Sequence, residues 1–246
     1  MKKHIFLNLI LFLLPSSLLA SPAMQLIDGF LIDKTEVTVG QFKKFVDSTG
    51  YITTAEKNGG GLIFNMGWKK MSGWVWHSPY GRLAALEEPA VHISFNDAEA
   101  FCKWRNKRIP TDIEWHKAAY TEFRSNPPMP YIKGVSYPYP TGNTPHGANC
   151  LKECGDLATI YHTVKLNRGY GHVLAGTTLS GVNGLYEMGG NVWEWTESGR
   201  DHEKGTRGGS WWYGASKMRS DNQSTKSPSM AAIYIGFRCV KSLNNK

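Results

Sequence analysis

Three glycine- and tryptophan-rich stretches in the second half of the chain constrain it most. Gly189-Gly190-Asn191-Val192-Trp193-Glu194-Trp195-Thr196 comes first, Arg207-Gly208-Gly209-Ser210-Trp211 follows, and Gly236-Phe237-Arg238-Cys239 closes the series. Paired glycines permit backbone conformations and close approaches that a Cβ forbids. Trp193 and Trp195 flank an acid at strand spacing, so both are expected in the core. No cysteine lies between Ser210 and Gly236.

The amino terminus reads as a leader. Met1-Lys2-Lys3-His4 is basic, Ile5 to Ala20 is almost wholly apolar, and small residues follow at Ala20-Ser21-Pro22-Ala23. That is the pattern of a secretory signal peptide, here residues 1–20. The apolar run falls short of the ~20 residues a membrane span needs, and Pro15 interrupts it, so no stable membrane insertion is expected after cleavage. The remainder is sized for one domain, residues 24–243, in the periplasm or outside the cell. The net charge of +8 comes from scattered lysines and arginines, which excludes a concentrated nucleic-acid-binding face.

Export makes the four cysteines disulfide candidates rather than metal thiolates. Three pairings are open. Cys150 and Cys154 are near enough for a local clasp, in which case Cys102 and Cys239 would tie a central helix to the last strand.

Three helices can be placed from capping boxes. Thr38-x-x-Gln41 opens one that shows Phe42, Phe45 and Val46 on one face and can stop at Gly50. Ser94 caps a second, to about Trp104, with Ala98, Phe101 and Cys102 facing inward. Thr111-x-x-Glu114 starts a third that carries Trp115, Ala118 and Ala119. Ala90-Val91-His92-Ile93 and Gly236 to Val240 read as strands. Residues 57–89 and 121–148 are too rich in Trp and Tyr for disordered linkers and are expected as ordered loops.

In this order the segments resemble the formylglycine-generating enzyme family, the sulfatase-modifying factors. The segments are Ile32 to Thr38, Pro89 to Ala98, Lys107 to Trp115, Asn183 to Trp195, Arg207 to Trp211 and Gly236 to Cys239. The resemblance covers nearly the whole expected mature chain. It implies an α+β fold related to C-type lectins, with few helices, a short twisted antiparallel sheet and many long loops. It also implies the Cys102–Cys239 disulfide.

Family enzymes oxidise a sulfatase cysteine to formylglycine with copper held by two cysteines, three and eight residues after the serine of Gly-Gly-Ser-Trp. Tyr213 and Met218 stand there. Soft thiolates suit Cu(I) and a phenol does not, so copper and the known formylglycine-generating chemistry are not expected. A substrate-site asparagine of the family is replaced by Tyr234. The resemblance further implies a calcium ion held by the side chains of Glu187 and Glu194 and the carbonyls of Gly190 and Val192, a hard-oxygen set. A second calcium would start at Asn149 and the carbonyl of Cys150, but arginine at Arg168-Gly169-Tyr170 replaces its acid.

The leading expectation is an exported, calcium-stabilised accessory or binding domain for an unknown protein or small-molecule ligand. Trp211, Trp212 and Tyr213, with Trp68, Trp74 and Trp76, are candidates for an aromatic binding face. The rival is an oxidoreductase-like maturation enzyme, as in siderophore maturation, using Glu194, Ser210, Tyr213 or Tyr234 in the same cleft. A third reading is a ligand-display scaffold, in which Met218 to Asn222 would be the variable segment. The histidines, His162 and His172 among them, show no metal-ligand spacing.

Overall fold

A computed structural model describes residues 23–155 and 171–243. The expected leader and the Arg168-Gly169-Tyr170 segment lie outside the described residues, as does His162.

Among the described residues, four α-helices and nine short strands make an α+β fold in which loops dominate. Helix α1 (Val39–Thr49) starts at Thr38, whose side chain accepts from the Gln41 amide while Gln41 returns to the Thr38 amide. It stops at Gly50, which takes the left-handed conformation (φ 66°) that glycine reaches without strain. Helix α2 (Thr54–Lys57) is a single turn. Helix α3 (Phe95–Trp104) is capped by Ser94, and α4 (Asp112–Tyr120) by Thr111, both with complete capping boxes. The three helices expected from the sequence are all present.

The strands form three small sheets. Strands β1 (Met24–Leu26), β2 (Phe30–Asp33) and β9 (Val240–Ser242) pair antiparallel, β2 in the middle. Strands β3 (Gly60–Phe64) and β4 (Trp68–Ser72) form a hairpin. The third sheet runs in the order β7 (Ser224–Lys226), β6 (Lys204–Arg207), β5 (Trp193–Thr196) and β8 (Ile235–Gly236). Its β5–β8 pair is parallel and the others are antiparallel.

Two strand expectations are corrected. Ala90 to Ile93 is not a strand, because His92 adopts φ 55° and turns the chain. Its backbone still bonds outward, Ala90 to the Val37 carbonyl and His92 to that of Ala232. The run from Gly236 to Val240 is not one strand but two. β8 ends at Gly236, Phe237 to Cys239 cross between sheets, and β9 begins at Val240.

An aromatic core fills the space between α1, α3 and that crossing. Phe42 stacks on Phe101 (centroids 5.6 Å), Phe101 meets Phe237 edge-on (5.4 Å), and Trp76 closes on Phe42 (5.3 Å). A second core gathers Trp115, Ala118 and Ala119 of α4 with Ile32, Leu185, Met188 and Val240. The Cys102–Cys239 disulfide pins α3 to the crossing segment, and Cys150–Cys154 clasps a short loop. Among the described residues no helix is long and apolar enough to cross a membrane.

Candidate functional site

The crossing segment turns the side chain of Arg238 into the protein, where it is fully buried. Its five N–H donors are all used. Nε and one terminal nitrogen form a two-pronged ion pair with Glu194 at 2.7 and 2.6 Å. The remaining donors reach the carbonyls of Asp33, Lys34 and Tyr186 at 2.7–3.1 Å. Trp115 Nε1 donates to the same Glu194 carboxylate at 2.7 Å. β5 supplies the acid, α4 the indole and the β8–β9 crossing the guanidinium, so one cluster locks three elements.

Glu36 lies beside this hub and accepts from Asn191 Nδ2 (2.6 Å) and the Val192 amide (3.2 Å). Burial holds its carboxyl well above the usual range; Glu187 and Glu194 add to the shift, while Arg238 and Asn191 oppose it. Asn191 also accepts from Asn149 Nδ2 (2.9 Å) and the Val173 amide (2.8 Å). An adjacent glycine is required, because a Cβ on Gly190 would strike the Asn149 carbonyl at 2.3 Å.

At the first calcium site expected from the sequence, the two carboxylates meet protein donors. Glu194 is committed to Arg238 and Trp115. Glu187 turns elsewhere and accepts from the amides of Gly176, Thr177 and Thr178 and from the Thr178 hydroxyl, at 2.8–3.1 Å. Burial raises the Glu187 carboxyl and these donors oppose the rise. The two acids of the expected set, Glu187 and Glu194, thus each accept from a different group of protein donors. At the second site Asn149 Oδ1 is buried without a partner and Cys150 is disulfide-bonded. Among the described residues no cluster of three or more His, Cys, Asp or Glu is arranged to hold a metal.

The two copper positions pack against different clusters. Met218 is buried with Ala148, Cys150, Cys154 and Ala215, and its carbonyl accepts from the Tyr120 hydroxyl. Tyr213 is partly buried and packs against the main core, its ring 5.6 Å from Trp193 and 6.0 Å from Tyr234. Ser210 is buried, and its hydroxyl accepts from the Trp212 amide at 3.3 Å. Of the candidate catalytic residues, Glu194 is thus held in the Arg238 hub and Ser210 is buried beneath Trp212. Ser220 and Asn222, in the 218–222 segment, are anchored through their carbonyls by Arg207.

Next to Ser210 along the chain, Trp211 and Trp212 line a cavity of about 520 Å³. Phe64, Trp74, Tyr80, Trp211, Trp212 and Tyr234 supply its aromatic walls, and no residue lining it is charged. Neither Tyr213 nor Met218 lines it. The β3–β4 hairpin overhangs it, with Trp68 packed on Tyr234 (6.0 Å) and Met66 almost fully exposed at the tip. Of the expected aromatic face, Trp74, Trp211 and Trp212 reach the cavity, whereas Trp76 is core. Behind Tyr80 runs a hydrogen-bond chain that the sequence did not disclose. Tyr80 Oη lies 3.2 Å from His172 Nδ1, and His172 Nε2 lies 2.7 Å from Glu88. Burial raises the Tyr234 phenol, and its neighbour Tyr213 adds to the rise, although the two hydroxyls lack hydrogen-bond geometry.

This assembly of loops and small sheets is a fold shared with solved proteins. The structure of PvdO from Pseudomonas aeruginosa superposes with a TM-score of 0.60 at 18% identity, over 87% of this chain and 80% of that one. Residues 19–243 match the family described as the sulfatase-modifying factor enzyme 1-like domain, and the chain belongs to that family. It is similar to the formylglycine-generating enzyme of Mus musculus, 29% identical over 87% of this chain and 66% of the mouse protein. It thus spans just under two thirds of that relative's length. It is also similar to the inactive Cα-formylglycine-generating enzyme 2 of Bos taurus, 31% identical over 86% of this chain and 76% of the bovine one.

Proposed function

We propose that the chain is an exported binding or accessory member of its family, with the aromatic cavity as its working surface. The observation that carries the reading is the position of that cavity. It opens beside the Gly-Gly-Ser-Trp motif, is walled by rings and carries no charge, while neither copper position lines it, Met218 being buried and Tyr213 partly buried. Apolar concave walls with a few polar groups are what small-molecule sites are made of. The likeness to an inactive bovine relative agrees with loss of the copper chemistry. The leader-like amino terminus and the two disulfides support an oxidising compartment.

The test pairs two measurements on the mature protein. With Cu(I) and a sulfatase-type cysteine peptide, no stoichiometric copper binding and no aldehyde are expected. With apolar aromatic ligands, saturable quenching of tryptophan fluorescence is expected. Aldehyde formation would overturn the reading.

One observation favours an enzyme in the same cavity, the Glu88–His172–Tyr80 chain. A buried carboxylate orienting an imidazole toward a phenol is an arrangement suited to proton transfer. It would show as ligand turnover that His172→Gln abolishes while ligand affinity is kept.

A further inference from the structure

The tip of the β3–β4 hairpin shows solvent three large apolar side chains that folding leaves uncovered. Phe64 and Trp68 are the last paired residues of the ladder, and their rings meet edge-on at 5.5 Å. They remain 44% and 49% exposed, and Met66 between them is 96% exposed. Met66 also takes a left-handed backbone conformation (φ 50°), which glycine adopts freely and an apolar side chain adopts at a cost. The turn itself does not require methionine, since its hydrogen bond runs from the Asn65 amide to the Gly67 carbonyl.

The charges near this tip are all of one sign. Lys69 and Lys70 follow Trp68 directly and are exposed, and neither has an ion-pair partner among the described residues. From Lys57 to Leu86 the chain has no Asp or Glu, while it carries Lys57, Lys69, Lys70 and Arg82. Aromatic rings settle at the headgroup level of a bilayer, and lysines lay their stems along apolar surface with the ammonium in the polar layer. A protein partner matches less well. The exposed parts of the three side chains offer roughly 400 Å², about half of the ~800 Å² that a stable partner covers on each side. A bilayer sets no such minimum, because apolar insertion and the attraction of each lysine to anionic lipid add together.

We propose that this tip docks the protein on a bilayer surface containing anionic phospholipid. Phe64, Met66 and Trp68 enter the headgroup layer, and Lys69 and Lys70 meet lipid phosphates. Phe64 and Met66 also line the aromatic cavity, so docking brings that cavity to the lipid surface. Attachment of this kind needs no membrane-spanning segment and stands apart from what the cavity binds.

Sedimentation of the mature protein with vesicles tests it, using phosphatidylcholine alone and phosphatidylcholine mixed with phosphatidylglycerol. Two lysines should make partitioning onto the anionic vesicles about thirtyfold stronger, accompanied by a blue shift of tryptophan emission. Met66→Ser, at an almost fully exposed position, should cut that partitioning about tenfold. Lys69→Gln with Lys70→Gln should lower it to the level on phosphatidylcholine alone. Lys133→Gln with Lys241→Gln removes the same charge from other exposed positions and should change it by less than about threefold. Failure to bind the anionic vesicles, or undiminished binding by Met66→Ser, would overturn the proposal. An equal loss from the Lys133 and Lys241 pair would overturn it too, since attraction by the overall positive charge would then explain the binding. Self-association that Met66→Ser abolishes, without vesicle binding, would assign the tip to a second copy of the chain instead.

Discussion

The hub around Arg238 and the cavity under the β3–β4 hairpin are both buried, polar in part and rich in tryptophan, yet they treat their polar atoms in opposite ways. At the hub, five guanidinium donors meet five acceptor contacts, and Trp115 completes the Glu194 carboxylate. In the cavity wall an indole N–H and a phenol are left without partners. A buried charge survives only when it is paired and hydrogen-bonded. A neutral donor left without a partner costs less than an unpaired charge. The acids the sequence singled out thus belong to the fully paired region.

Arg238→Met should break that division most visibly. It strands the buried Glu194 carboxylate, and a loss of about 3–5 kcal/mol is expected in urea unfolding. Arg238→Lys should recover little, because an ammonium cannot form the two-pronged pair. A cost under about 1 kcal/mol would mean that the hub does not hold the fold together. Next in size, Trp115→Phe removes one donor to Glu194 and should cost about 1.5–3 kcal/mol.

A pH series sharpens the electrostatic side. The Glu36 carboxyl is raised well above its ordinary value of 4.5. The folded state therefore holds a proton that the unfolded state releases, and this group's contribution to stability falls as pH climbs above 4.5. Glu36→Gln cannot titrate, so its stability relative to the unmodified protein should rise across that window. A constant difference would rule out the raised carboxyl.

Trp212→Ala tests the other region. Trp212 is partly exposed on the cavity rim, so stability should change by no more than about 0.5 kcal/mol. Affinity for an apolar aromatic ligand should drop roughly tenfold. The smallest effect is expected from EDTA, because Glu187 and Glu194 are already satisfied within the protein. The melting temperature should move by less than about 2 °C, under what 1 kcal/mol produces in a domain of this size. A larger shift would restore calcium to the hub.

Local signals in the sequence proved readable where the physics is local. Thr38, Ser94 and Thr111 start helices because a side-chain oxygen and an acid or amide three residues on close a loop within one turn. The turn at His92 was not readable, because nothing in Ala90-Val91-His92-Ile93 announces a positive φ. That conformation is held from outside, by His92 Nε2 against the Pro79 carbonyl and the His92 amide on Ala232. The hub was equally hidden. Glu194 and Arg238 are 44 residues apart, and the Gly-Phe-Arg-Cys motif marks the fold without saying where its arginine points. The aromatic cavity was half legible: clustered tryptophans promised a surface, but only the folded chain separates Trp74 from Trp76.

The split between β8 and β9 has a consequence for assembly in time. The last strand must return to β2, near the start of the domain, and Cys239 must find Cys102 across 137 residues. Arg238, which neutralises Glu194, sits in the same late segment. A growing chain thus carries an uncompensated acid and an open sheet edge until Arg238 and β9 have been made, so the domain can close only once that last strand is available.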